Sequence, residues 1–178
     1  MLTLKKFLSR LVSEHKTIER CHSGDRACPA GARRFLTIVE QGLQSDGRAR
    51  LGLINRAVNL SIKPVSDQSQ HGAEDVWSSP LETLSAGAGD CEDYAIVKYA
   101  ALREAGIAPD NLRLVIVRDG KRQANHAVVA VHHEGQWLIL DNRTLIMADA
   151  NELAYYKPLL VLDDRGARAP ATAFLGLE

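Results

Sequence analysis

The chain has 178 residues, 46% of them hydrophobic, and its 22 basic residues balance 22 acidic ones. That is enough material for one core and too little for a second full domain. The zero net charge gives no footing for a nucleic acid, and no apolar run is long enough to span a membrane.

At the N-terminus, Lys5, Lys6 and Arg10 interrupt what would have to be the uncharged core of a secretory signal. The chain as given therefore shows no signal peptide, and residues 1–12 read as a short amphipathic helix, a docking arm. Cys21 and Cys28 follow in a loop-like stretch, with Cys91 alone further on. If the first two pair, the odd thiol is the reactive one, and a disulfide means an oxidising compartment. Two free thiols, or a metal site from Cys21, His22 and Cys28 lacking a fourth ligand, are the other readings.

Helical spacing of Phe35, Ile38 and Val39 predicts a helix from Ala32 to Gly42, and Leu51, Ile54 and Val58 predict another from Arg48 to Leu60. Lys63-Pro64 ends the second. Residues 64–80 are polar and acidic and read as an ordered loop, with one helical turn at Leu81–Leu84. A helix beginning at Cys91 stops at Gly106, a good residue just past a helix end. The period then changes to that of strands at Leu112–Arg118, His126–His132, Gln136–Asp141 and Tyr155–Leu162. Helices first and sheet second give an α+β domain over residues 1–165, with 1–31 as a variable arm and 166–178 as a loosely held tail.

The chemistry concentrates at Gly87-Ala88-Gly89-Asp90-Cys91-Glu92-Asp93-Tyr94. Asp90 is placed to cap the helix, with Asp93 completing an acidic near-match to a capping box. Cys91 at the first helical position then feels the positive end of the helix dipole, which favours thiolate. Taken alone, a cysteine on a buried helix face is more often structural than reactive.

A base and an orienting group come from a hairpin. Glu134-Gly135 reads as a two-residue turn, so partner positions sum to about 269, and Asp141 falls opposite Val128 and diagonal to His126. His126 and Asp141 then share one face and one edge of the sheet. Cysteine, histidine and carboxylate make the nucleophile, base and orienter of acyl-transfer enzymes. His15, His22, His71, His132 and His133 compete for the base.

The blocks Trp77-Ser78-Ser79-Pro80-Leu81-Glu82-Thr83-Leu84, Gly89-Asp90-Cys91-Glu92-Asp93-Tyr94-Ala95, His126-Ala127-Val128 and Leu140-Asp141-Asn142 resemble the bacterial transglutaminase-like cysteine proteinases, the LapG-like family, over about residues 55–162. The resemblance implies a papain- or transglutaminase-like fold and a catalytic Cys91, His126 and Asp141. It also implies a calcium ion held by the acids beside the cysteine, here Asp90 and Glu92, with Asp67 and Asp75 as weaker candidates. No organic cofactor is implied. The partners implied are a protein substrate such as a surface adhesin and a LapD-like membrane receptor, in the periplasm. The same triad on the same fold also suits an acyl-transferase, and a binding module with an incompetent cysteine is the non-enzymatic alternative.

Overall fold

The structure, a computed structural model, describes residues 13–23 and 27–169. The docking arm predicted for residues 1–12 lies outside them. A helical segment at residues 13–22 (α1) is tied by a Cys21–Cys28 disulfide to the start of α2 (Ala30–Leu43), which settles the pairing of those two cysteines and leaves Cys91 free. Helix α3 (Gly47–Ser61) follows, and the two bury Phe35, Ile38, Val39, Leu51, Ile54 and Val58, the residues whose spacing predicts them.

Residues 63–89 are more structured than their composition suggests. Lys63–Pro64 (β1) pairs in parallel with Ala88–Gly89 (β2). Pro64 has no N–H to give, and its neighbours carry the ladder: Lys63 N–H donates to Gly87 O and Val65 N–H to Gly89 O. A five-residue helix, α4 (Asp67–His71), stands where a loop is predicted. Helix α5 (Pro80–Ala86) has proline in its first turn and a full capping box between Ser79 and Glu82. Helix α6 (Cys91–Glu104) then runs through the core, burying Ala95, Lys98, Tyr99 and Leu102 together with Ile96, Val97 and Ala101.

Strands β3 (Leu112–Asp119), β4 (Ala124–His133), β5 (Gln136–Leu140), β6 (Ala148–Asp149), β7 (Tyr156–Asp163) and β8 (Gly166–Arg168) form one antiparallel sheet in the order β6-β5-β4-β3-β7-β8. Strand β8 carries the sheet past residue 165, so residues 166–168 belong to the domain rather than to a loose tail: Gly166, at φ 115°, turns the chain back so that Leu162 pairs Ala167. Glu134 and Gly135 both take positive φ, 50° and 81°, as the tight hairpin turn requires. Val129 pairs Leu140 and His133 pairs Gln136, so partner numbers sum to 269.

The pleat divides the sheet. Ala127, Val129 and Val131 face the helical layer and join the main core with α2, α3, α5 and α6. Val128 and Ala130 face the other way and form a smaller cluster with Val115, Val117 and Ile139, against which Trp137, Leu153 and Tyr156 pack. By parity His126 belongs to this second face.

Candidate active site

Strand β5 ends at Leu140, one residue before Asp141, so β4 has no ladder partner on that side below Val129. The start of α6 occupies the space. The backbone N–H of Ala127 lies near enough to the Cys91 sulfur to favour its thiolate, which puts the thiol near β4, one residue from His126. Cys91 also donates its own proton to Glu92 Oε2, at 2.9 Å.

His126 is buried, 1% exposed, with Nε2 2.8 Å from Asp141 Oδ1. Asp141 accepts three further hydrogen bonds or supports at its position: Arg143 N–H on Oδ1 at 3.0 Å, Tyr156 O–H on Oδ2 at 2.7 Å, and Asn59 Nδ2, which donates to its backbone carbonyl at 2.9 Å. Burial works to raise the Asp141 carboxyl, but the His126 hydrogen bond and charge, then the Arg143 and Tyr156 donors, outweigh it and hold the pKa at about 2. A carboxylate can only accept, so the proton between them sits on Nε2 of His126. In the neutral ring Nδ1 is then the acceptor, and it is buried with no hydrogen-bond partner among the described residues. The other histidines lie elsewhere: His15 beside Glu19 and Glu104, His22 exposed at the end of α1, His132 against Trp137, His133 beside Glu134, and His71 at the end of α4.

Asp90 occupies the cap position but makes no side-chain cap hydrogen bond, contrary to the expectation from sequence. Its carboxylate turns instead toward other acids. Asp67, Asp90 and Glu92 each offer an oxygen within 4.8 Å of the others. Burial first, then Glu92, Asp67 and Asp93, push Asp90 up to about 8, and its Oδ1 is buried without a hydrogen-bond partner among the described residues. Asp67 comes into the cluster because α4 and the β1–β2 pairing carry the 65–67 segment alongside Gly89 and Asp90. Asp75 does not join: it adopts φ 58° and accepts from Trp77 Nε1. Asp93 is spent on the Ser78 N–H at 2.9 Å.

Three carboxylates with an orphaned buried oxygen form an all-oxygen donor set that no cationic side chain neutralises among the described residues, which fits calcium and not a thiolate-seeking metal. The same acids oppose the dipole effect expected at Cys91. Burial, then Glu92 by charge and hydrogen bond, push the thiol up to about 12.

The profile of the bacterial transglutaminase-like cysteine proteinases (BTLCP) matches residues 14–157. The chain belongs to this family. It is accordingly a cysteine peptidase with a transglutaminase-like α+β fold. Among solved structures, calcium-bound LapG of Legionella pneumophila is similar at a TM-score of 0.70 and 23% identity, over 90% of this chain and 93% of that one. EGTA-treated LapG from the same organism gives 0.71 and 24%, over 89% and 86%. A structure described as a TGase gives 0.51 and 13%, over 75% of this chain and 38% of that one. At such identities the likeness is one of fold. No curated protein sequence matches significantly.

Around the site, this proteinase also places residues that sequence reasoning passes over. Tyr156 reaches Asp141 across the second face of the sheet, and the Arg143 guanidinium backs Tyr156 there. Lys98, 1% exposed, lies on α6 close enough to feel Asp141, yet burial lowers it to about 7. Its position seven residues after Cys91 puts it on the same helix face. The contacts of Tyr156 and Arg143 depend on strand order, for which the local pattern holds no signal.

Proposed function

We propose that the chain is a calcium-dependent cysteine endopeptidase working through Cys91, His126 and Asp141. The single observation that supports this most is the buried His126–Asp141 pair, at 2.8 Å, next to an Ala127 N–H that lies near the Cys91 sulfur. His126 Nδ1 takes the thiol proton, and the sulfur attacks the scissile carbonyl carbon. The oxyanion formed is bound by free backbone N–H groups in the first turn of α6, that of Cys91 included. His126 then passes the proton to the leaving amine as the C–N bond breaks, leaving an acyl-enzyme. Water, deprotonated by the same Nδ1, hydrolyses the thioester and restores the thiol.

Asp67, Asp90 and Glu92 would hold calcium, whose charge offsets their mutual repulsion and competes with the Cys91 thiol for Glu92. The resemblance supports a surface or secreted protein such as an adhesin as substrate, a LapD-like membrane receptor as partner, and a periplasmic setting. The Cys21–Cys28 disulfide fits an oxidising compartment.

The test is Cys91→Ala, assayed for cleavage of an adhesin-derived polypeptide alongside circular dichroism. Cleavage is abolished with the spectrum unchanged; proteolysis that survives the substitution ends the reading.

A further inference from the structure

We propose that Tyr156 is a positioning residue of the active site: its hydroxyl, backed by Arg143 and through it by Asp119, fixes the rotation of the Asp141 carboxylate that orients His126. The proposal rests on the triad reading above.

Asp141 follows the last ladder pair of β5, where the backbone no longer restrains it through the sheet. A carboxylate at the end of a side chain has a broad torsional preference, so its rotation is set by its partners. Oδ1 takes His126 and the Arg143 N–H; Oδ2 takes Tyr156 at 2.7 Å. The polarity of the chain behind it is forced. Arg143 Nη1 lies 3.3 Å from the Tyr156 oxygen and can only donate, so Tyr156 accepts from Arg143 and gives its own proton to Asp141. Burial and the Asp141 carboxylate both push the phenol upward, which keeps it a donor.

Arg143 is fixed in turn. Its Nη1 meets Asp119 Oδ2 at 2.7 Å, and Asp119 Oδ1 accepts the Lys121 and Arg122 N–H groups in the β3–β4 turn at 2.9 and 3.2 Å. The line from a backbone turn to the candidate base therefore runs through side chains on one face of the sheet. Asp119 and Asp141 are both nearly buried, at 2% and 5% exposure, where hydrogen-bond networks are strongest and a broken one costs most. The Tyr156 ring also packs on His126, with centroids 5.8 Å apart. Asp141, Tyr156 and Arg143 border a cavity of about 260 Å³. Removing the hydroxyl lets water compete for Oδ2, and the carboxylate is then free to turn away from Nε2.

The test compares wild type, Tyr156→Phe and His126→Ala in calcium-containing buffer. It reads the ring tautomer of His126 by ¹⁵N NMR and the rate of Cys91 alkylation by iodoacetamide at neutral pH. Wild type shows the Nε2–H form alone. Tyr156→Phe shows a tautomer mixture and about tenfold slower alkylation, a part of the roughly 10²–10⁴ that a positioned base supplies. Its thermal midpoint stays within about 5 °C of wild type, as for one lost hydrogen bond. A single tautomer and wild-type rate in Tyr156→Phe, with His126→Ala slow, overturns the positioning role and leaves the triad standing. Wild-type rate in His126→Ala overturns the triad itself, and this proposal with it. If Tyr156→Phe does not fold, Arg143→Lys takes its place, because it keeps the charge and the backbone N–H but loses the Nη1 that donates to both Tyr156 and Asp119. An unchanged tautomer and rate there count equally against the proposal.

Discussion

At Cys91 two local fields compete. The helix start favours a thiolate, whereas burial and the Glu92 carboxylate favour the thiol and carry its pKa to about 12. Desolvation and the near carboxyl win because the dipole acts through partial charges, while a Glu92 oxygen lies 2.9 Å from the sulfur. Asp90 is the measurable counterpart. Its pKa rises from an ordinary 3.8 to about 8, chiefly by burial and then by Glu92, Asp67 and Asp93. Asp93, raised to about 6 with burial the largest cause, adds to it in the same direction. A carboxyl with a raised folded pKa holds its proton where the unfolded chain has lost it. The native state therefore binds more protons between about pH 4 and pH 8, and stability falls as pH rises through that window. In chelator, the thermal midpoint of the wild type should decline from pH 5 to pH 8 by several degrees (about 2–4 °C per kcal/mol), and Asp90→Asn should flatten most of that decline. A parallel slope in the variant would remove Asp90 as its source.

Among the elements, β2 approaches α6 closely. A Cβ built on Gly89 meets Asp93 Oδ2 at 2.6 Å and Asp93 Cβ at 2.8 Å, and Asp93 is held in place by the Ser78 N–H. Gly89→Ala must displace the first turn of α6 or break that hydrogen bond, a loss of about 1–3 kcal/mol on the scale of overpacked cores. Gly52, in the middle of α3, offers the opposite case. Its added Cβ meets only Met147 Cε at an ordinary 3.7 Å, so Gly52→Ala should stabilise by about 0.5–1 kcal/mol. Urea denaturation of the two variants checks both signs, and a stabilising Gly89→Ala would show that the start of α6 yields freely. The same elements show where sequence is informative. The β4–β5 register is legible because a two-residue turn and a period of two leave one alignment, and it brings His126 to Asp141. Helix α4 is not, since Asp-Gln-Ser-Gln-His has no apolar face to declare a helix. The β1–β2 ladder is not either: two residues per strand are too few for a period, yet this ladder decides that Asp67 and not Asp75 meets Asp90.

Over the whole molecule, the acid cluster brings together two separate segments of the chain. Asp67 belongs to α4, and Asp90 and Glu92 to the start of α6, with the two-residue β1–β2 pairing as the main backbone link between them. An ion shared by the three carboxylates binds the folded chain and not the unfolded one, so it should stabilise by mass action, by about 2.7 kcal/mol at a hundred times its dissociation constant. For a domain of this size that is a rise of about 5–10 °C in thermal midpoint, reversed by EGTA. Asp67→Asn removes one of three charged ligands and should lose most of the rise. Asp75→Asn should keep it, because Asp75 is occupied with Trp77. Amide exchange separates this from general salt stabilisation: protection gained with calcium should concentrate in residues 65–76 and 87–95, the two segments the ion would join. A rise that survives Asp67→Asn, or protection spread evenly over the sheet, would place the cation elsewhere and return the three acids to mutual repulsion.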